Sequence, residues 1–385
     1  MASGHPLRER QRPDFELGDR GIVAVDLFSG CGGLTLGAAQ AAHDRGLALE
    51  VPLAVDVEQA PVNVFKANFP KAHVEVATVE KYFDGELGSQ PTATELDVRT
   101  QVGEVDMLIG GPPCQGHSNL NNHTRRDDPK NRLYLRMARA AEILRPRVLI
   151  IENVPAVVHD SQQVVARTTD HLEAVGYEVA TTRAELVQLG IPQTRRRHIL
   201  LAVRADALPI GVTATALSVL VPQPTHDLRW AISDLEHISA ERWVDQPSKM
   251  SPENQQRIQW LAEHGEVNLP NELRPVCHQG DHSYVSMYGR LSWDQQAQTI
   301  TSGFGSMGQG RYGHPSQPRT ITPHEAARIQ GFPDYFQFDA AGTRTQLSTI
   351  IGNAVPPALT RVLTTQLIDS QVLGQADRSG LEESA

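Results

Sequence analysis

GIVAVDLFSGCGGLTLGAAQ, residues 21–40, decides the fold. Its first eight residues are almost wholly apolar and close on an acid, the pattern of a strand covered on both faces. SGCGG follows, and then a helical run through Leu34–Arg45. Strand, glycine-rich turn and helix in that order build the ligand corner of a doubly wound sheet, where backbone N–H groups at a helix start face a bound molecule. Gly30, Gly32 and Gly33 let the backbone come close to such a ligand. VPLAVDV (51–57) is a second strand ending in an acid, and Asp56 lies 26 residues after Gly30, where a ribose-binding acid belongs. G-C-G-G is not GxGxxG, so the residues leave the ligand open between a dinucleotide and another adenosine compound.

The alternation continues. A helix is expected near 59–68, and strands at 74–79, 105–111 and 147–154. A helix over LYLRMARAAEILRP stops at Pro146. YEVATTRAEL and RRHILLAVR add strands. Strands alternating with helices imply right-handed βαβ units and a parallel sheet, hence an α/β, doubly wound fold. After about Arg204 the chain turns Pro-, Gly-, His- and Gln-rich. QTITSGFGSMGQGRYGHPSQPRT holds five glycines and two prolines in 23 residues, yet Phe304, Met307, Arg311, Tyr312 and His314 interleave them. A flexible linker lacks such aromatics, so an ordered loop region touching a ligand is expected. TPHEAARIQGF restores helix, with Thr322 as N-cap and Pro323 as first helical residue. IGNAVPPALTRVLTTQLI then needs a core to bury it, which the large domain can supply. The large domain is therefore expected to be discontinuous, with a smaller unit inserted.

Composition narrows the class. The chain has 385 residues, 40% hydrophobic and 21% charged, as in a globular protein. Cys31, Cys114 and Cys277 are three and widely spaced, which is no disulfide framework and fits a reducing compartment. Fifteen histidines make no HExxH pattern, and no metal site is expected; Cys277-His278 near His282 reads as a loop coincidence. The N-terminus lacks an apolar signal core, and no run long enough to span a membrane occurs, so a cytoplasmic location is expected. The net charge of −10 argues mildly against nucleic acid, but local clusters such as Arg125-Arg126 and Arg195-Arg196-Arg197 decide more than the sum.

Chemistry concentrates at strand ends. In GGPPCQGHS (110–118), Pro112 and Pro113 fix the approach to Cys114 just past the fourth strand. A thiolate is an intrinsic nucleophile and needs only a modest fall in pKa to act at neutral pH. Glu152, in ENV, follows the fifth strand 38 residues later and reaches the same sheet edge. Thiol and carboxyl there can pair nucleophile with general acid. In QTRRRHIL, Arg195 and Arg197 share one side of an extended segment and can grip an oxygen or orient Glu152, while Arg196 points away.

DLFSGCGG, GGPPCQGHS, ENV, QTRRR, RTITPHEAARIQGFP and GNAVPP, in that order, closely resemble the signature motifs of bacterial-type DNA (cytosine-5)-methyltransferases. The resemblance covers about 21–204 and 318–372. It implies a Rossmann-like, S-adenosylmethionine-binding domain with a smaller inserted target-recognition domain. The expected bounds are a tail over 1–20, a catalytic domain over 21–204 completed by 346–372, a recognition domain over 205–345, and a tail over 373–385.

Carried onto this sequence, Cys114 resembles the nucleophile that attacks carbon 6 of cytosine. Glu152 resembles the acid at N3 and the exocyclic amine, and Arg197 the arginine that holds the cytosine carbonyl oxygen and Glu152, with Arg195 close by. Phe28, Ser29, Gly30, Cys31 and Gly32 resemble the turn around the methionine part of the cofactor. Asp56 resembles the ribose acid and Val57 its adenine-side neighbour. Pro112, with Asn353 and Ala354 of GNAVPP, matches further cofactor contacts. Family members often carry Asp and an apolar residue after the third strand; here Thr78-Val79 stands there, and Val79 is the expected contact. His117 and Ser118 fall in the DNA-facing loop. Arg311 is the expected guanine or phosphate contact, and Arg319 either braces the domain or meets phosphate. The resemblance implies a monomer acting on double-stranded DNA, without metal, and leaves room for a companion restriction endonuclease in the host. An RNA substrate and a catalytically silent DNA-binding protein are the rival readings.

Overall fold

The computed structural model describes residues 5–18, 21–113, 132–279 and 286–374. The chain divides into two compact units. One comprises 13–184, 196–221 and 357 onward; the other comprises the chain before 13, 185–195 and 222–356. The boundaries thus run differently from the expected bounds: 185–195 and 346–356 group with the unit that holds the insert.

The larger unit carries a seven-stranded sheet. Its strands are β1 (Gly21–Leu27), β2 (Ala48–Asp56), β3 (Val74–Val76), β4 (Met107–Gly110), β5 (Val148–Asn153), β6 (Tyr177–Glu185) and β7 (Arg196–Arg204), in the order β3-β2-β1-β4-β5-β7-β6. β1 pairs in parallel with both β2 and β4, and β4 with β5. The strand order reverses between β1 and β4, which opens the crevice that ligands use in such sheets. β7 departs from the all-parallel expectation and runs antiparallel to β5. The link from β6 to β7, residues 186–195, holds only a 3-10 turn. It is shorter than the dozen or more residues, usually with a helix, that a parallel return requires.

Helices α1 (Gly33–His43), α2 (Gln59–Asn68), α3 (Ala93–Val102), α4 (Arg132–Leu144) and α5 (Val164–Ala174) connect the strands. α4 buries Tyr134, Met137, Ala138, Ala141 and Leu144, a 3.6-residue spacing that lays one face on the sheet. It ends as Arg145 enters the left-handed region (φ 53°) ahead of Pro146. Val25, Leu27, Val55, Met137, Leu149 and Leu200 are among the residues of the core between sheet and helices. Two further helices complete this unit, the short α6 (Ala214–Ser218) and, near the end of the chain, a twelve-residue helix over Ala358–Asp369. That last helix packs on α1, where a Cβ on Gly37 would stand 2.0 Å from the Pro357 carbonyl.

The other unit has no named strand of its own among the described residues. It holds α7 (Leu228–Ile232), α8 (Pro252–His264), α9 (Pro323–Ile329) and α10 (Arg344–Asn353), which makes the helix over Ala358–Asp369 α11. α9 starts as the sequence predicts. Thr322 accepts from the Glu325 N–H, Glu325 returns the bond to the Thr322 N–H, and Pro323 fills the first turn. Its Arg328 is buried and pairs with Asp334 (2.5 and 2.7 Å) and Asp234 (3.2 Å). His324 sits between Asp245 (2.6 Å) and Asp334 (2.8 Å). The glycine-rich stretch is ordered, as expected, but it is core: Phe304, Met307, Tyr312 and His314 are all buried. A Cβ at Gly303 would meet Gln309 at 1.9 Å, and one at Gly305 would meet Ser248 at 2.4 Å. These glycines serve close packing inside the unit.

Candidate active site

Two strand ends build the reactive edge. β4 and β5 run in register, Gly110 beside Ile151. The chain leaving β4 through Gly111, Pro112 and Pro113 therefore emerges next to Glu152. The Asn153 side-chain amide ties the two ends together, donating to the Pro112 carbonyl at 3.1 Å while its own oxygen accepts from the Val154 N–H at 2.8 Å. Cys114 follows Pro113 directly, and it lies outside the described residues, as do His117 and Ser118.

Glu152 is buried, and Arg197 forms an ion pair with it. The antiparallel register of β5 and β7 brings them together, with Glu152 opposite Ile199 and Asn153 opposite His198. Arg197 also donates to the Arg196 carbonyl at 2.7 Å, and Arg196 is exposed, pointing away as expected. Arg195 has a different task from Arg197. It is buried in the other unit, where its guanidinium donates to the carbonyls of Ile300 (3.0 Å) and Gly352 (3.1 Å). Two groups near Glu152 carry no sequence signal. Tyr134 is buried without a hydroxyl partner among the described residues; burial first and the Glu152 charge second hold its proton on more tightly than usual. Burial lowers His198 to about 4, so it stays uncharged at neutral pH.

The glycine turn after β1 is a cradle. Phe28 adopts a left-handed conformation (φ 59°), and Gly30 follows it (φ 54°) with open space where a Cβ would project. Gly32 has another reason to be glycine: a Cβ there would press on the Phe65 ring at 2.9 Å. Ser29 is buried, and its hydroxyl has no partner among the described residues. Asp56 braces the turn, accepting from the Gly30 N–H (2.9 Å) and the Glu58 N–H (3.0 Å). Burial raises its pKa. Val57 beside it is 60% exposed and presents apolar surface. Val79, by contrast, lies in the core, so only its backbone is free to meet a ligand. Asp26, the acid near the end of the first strand, lies beneath the turn. Burial pushes it up to about 7, while the Thr35 hydroxyl donates to it at 2.5 Å. Asn353 ends α10 and is exposed, with Ala354 buried behind it.

Of the two arginines expected at DNA, Arg311 is half-buried and donates to Asn268 at 2.6 Å. Arg319 spends its guanidinium inside its own unit, on Glu325 (2.7 and 2.8 Å), Gln317 (2.6 Å) and the Thr320 carbonyl (3.1 Å). That geometry supports the bracing role. Among the described residues, no cluster of three or more His, Cys, Asp or Glu side chains is arranged to hold a metal ion, and no helix is long and apolar enough to cross a membrane.

Comparison with known proteins follows the same lines. The family model of C-5 cytosine-specific DNA methylases matches residues 22–369. The chain is 41% identical over 358 residues to the Type II methyltransferase M1.BsuMI of Bacillus subtilis, covering 93% of this chain and 83% of that protein. It is 31% identical to the Type II methylase M.HgiDII of Herpetosiphon aurantiacus, covering 89% and 93%. In solved structures the fold recurs in the Entamoeba histolytica methyltransferase EhMeth, with a TM-score of 0.59, 18% identity, and 92% and 98% of the two chains covered. It recurs also in the S. pombe Dnmt2 methyltransferase, with a TM-score of 0.59, 16% identity, and 91% and 99% covered.

Proposed function

The chain belongs to the C-5 cytosine-specific DNA methylase family and is a DNA (cytosine-5)-methyltransferase, and from that premise we propose that Cys114, Glu152 and Arg197 carry its reaction. The observation that supports this reading is the Asn153–Pro112 tether, which joins the chain leading into Cys114 to the strand that ends in Glu152.

Carbon 5 of cytosine is too weak a nucleophile to accept a methyl group unaided. In our reading, the Cys114 thiolate adds to carbon 6 while Glu152 shares a proton with N3. The ring becomes an enamine, nucleophilic at carbon 5. Arg197 holds Glu152 in place and offers its remaining N–H donors to the cytosine carbonyl oxygen. After methyl transfer, the carbon 5 proton leaves to a base, the electrons return to the ring, and the Cys114 thiolate is expelled. Carbon 6 is out of reach in a stacked duplex, so the cytosine must first leave the helix.

S-adenosylmethionine, the family's cofactor, supplies the electrophilic sulfonium methyl group when bound. The cradle fits such a ligand: Ser29 has an orphaned buried hydroxyl, Gly30 faces open space, and Val57 presents exposed apolar surface beside the Asp56 carboxylate. Phe28, Ser29, Gly30, Cys31 and Gly32 would surround its methionine part, with Cys31 contributing backbone because its side chain is buried. Asp56 would take the ribose, and Val57 and the Val79 backbone the adenine. Pro112, Asn353 and Ala354 complete the proposed set. His117, Ser118 and Arg311 are proposed DNA contacts, and 205–345 the recognition region. The proposal extends to a monomer working in the cytoplasm, alone or beside a restriction endonuclease. The test is incubation with tritiated S-adenosylmethionine and either duplex DNA or transfer RNA. Label in duplex DNA, abolished in Cys114→Ala while the cofactor still binds, is the expected result. Label in RNA alone, or in neither, would sink the reading.

A further inference from the structure

A second charged feature opens on the larger unit, apart from the reactive residues. A cavity of about 300 Å³ lies between the start of α4, the start of α5 and the loop after β3. Arg132, Arg136, Arg139 and Arg167 line it, with Glu86 the one carboxylate among the described residues of its wall. Arg139 is already neutralised. It is fully buried, forks onto Glu95 (2.6 and 2.8 Å) and reaches Glu142 (2.8 Å). The same guanidinium donates to the carbonyls of Ser89 (2.8 Å) and Gln90 (3.2 Å), which fixes the loop that forms one wall. Arg136 is half-buried and donates to the Gly85 carbonyl at 2.5 Å, a bond that neutralises no charge. Arg132 and Arg167 are exposed at the mouth, and none of these three has a carboxylate at ion-pair distance among the described residues.

Three guanidiniums that have no carboxylate partner among the described residues repel one another on this wall, and an anion between them relieves that repulsion. The cavity's place in the fold says which anion. α4 begins, and α5 begins, at the carboxyl edge of the sheet, where β4 and β5 deliver Pro112 and Glu152. The surface that must meet the substrate's reacting base therefore also carries this basic hollow. The chain as a whole has a net charge of −10, so a polyanion can be held only where positive charge is gathered locally. We propose that the hollow of Arg132, Arg136 and Arg167 seats backbone phosphate of the DNA substrate beside the flipped cytosine's strand. This rests on the duplex-DNA reading above. Such a contact positions DNA without reading its sequence.

The test is the salt dependence of binding to a fluorescent 40-base-pair duplex of mixed sequence. Every phosphate that the protein no longer neutralises lowers the slope of log affinity against log salt by about 0.9. Arg132→Gln/Arg167→Gln should flatten the slope by about one to two and weaken binding at least fivefold at moderate salt. Arg132→Lys/Arg167→Lys should restore the slope. The Gln pair should also raise the KM for genomic DNA, and the Lys pair should bring it back. A parent protein that labels no DNA refutes the main reading, whereas the slope reports on the hollow. An unchanged slope in a folded Gln variant overturns the proposal. So does thermal stabilisation by inorganic phosphate that the Gln variant no longer shows while its duplex binding stays intact, which would make the hollow a free-anion site.

Discussion

Asn153→Ala is the substitution that tests the reactive edge most directly. It deletes the amide donor that holds the Pro112 carbonyl and the oxygen that accepts from Val154. Pro112 is buried, so its carbonyl finds no replacement from solvent. A neutral hydrogen bond is worth about 0.5–1.5 kcal/mol net, and a stranded buried acceptor costs about 1–3 kcal/mol. If about 1.5–3 kcal/mol of that falls on the position of the chain entering Cys114, single-turnover methyl transfer slows roughly 10- to 150-fold, at about 1.4 kcal/mol per tenfold. The assay is rapid-quench transfer of tritiated methyl to saturating genomic DNA, with the melting temperature measured alongside. Asn153→Asp isolates the tether, because a carboxylate still accepts from Val154 but cannot donate to Pro112. Both variants should lose rate, and both should bind cofactor. A folded Asn153→Asp with the parent's rate would refute the reasoning, and Asn153 would then be a brace of the β5 end and nothing more.

Other substitutions test other parts. On the proposed mechanism, Glu152→Gln keeps the shape but removes the transferable proton, and transfer should fall about 10²- to 10⁴-fold with duplex binding retained, read by single-turnover kinetics and a binding titration. Gly37→Ala drives a Cβ into the Pro357 carbonyl at the α1–α11 contact, and should cost about 1–3 kcal/mol of stability in chemical denaturation. Arg139→Met strips the buried Glu95 of its guanidinium, and should cost about 3–5 kcal/mol at neutral pH. Because Arg139 and the Thr92 and Gly85 N–H groups hold the Glu95 pKa down against the upward push of burial, that cost should shrink as pH falls and the carboxyl protonates. His324 runs the other way. Burial lowers it, but Asp245 and Asp334 outweigh that and raise its pKa, so its stabilisation is full below the unfolded-state value of about 6.5 and lost as pH rises through the folded value. The stability gap between parent and His324→Gln should therefore be widest at acid pH and close toward alkaline pH in urea melts.

What the sequence made legible follows from what sequence patterns record. The strand VLIIEN is buried at every position, and its opening apolar run VLII says so in advance. Thr322, Pro323 and Glu325 announce a helix start because capping is local. The shared edge of Pro112 and Glu152 follows from strand order. Partnership is another matter, because a side chain's type does not say what it touches. Arg195 and Arg197 look equivalent two residues apart, yet one donates to carbonyls of Ile300 and Gly352 and the other pairs with Glu152. Arg319 has the look of a phosphate contact, but a carboxylate six residues on takes it. The glycines of 303–313 read as an approach to a ligand and turn out to pack on Gln309, Ser248 and Tyr288, since glycine marks closeness without naming what is close. The sequence marks Asn153 within ENV but not its tether, because an amide at a strand end does not name its acceptor until the structure shows it.

The same reasoning bears on which cysteine can do chemistry. Cys31 stands in the cofactor turn, nearer by sequence to the glycines than any other thiol, and by position alone is a candidate. Burial pushes its thiol up to about 12, and the carboxylates of Asp56 and Asp26 add to the effect. A thiol that holds its proton so firmly supplies almost no thiolate at neutral pH, so it serves as packing. Cys277 is exposed and belongs to the other unit, not to the sheet that bears Glu152. In the proposed mechanism, the competence of Cys114 is thus a matter of address. The chain reaches it through two prolines from a buried strand, with the Pro112 carbonyl pinned by Asn153 and the neighbouring carboxylate pinned by Arg197. Moving the thiol one residue along that edge, by Pro113→Cys in a Cys114→Ala background, would keep the residue type and lose the address; methyl transfer restored by that shift would mean the edge tolerates a loosely placed nucleophile, and the tether would have no catalytic purpose.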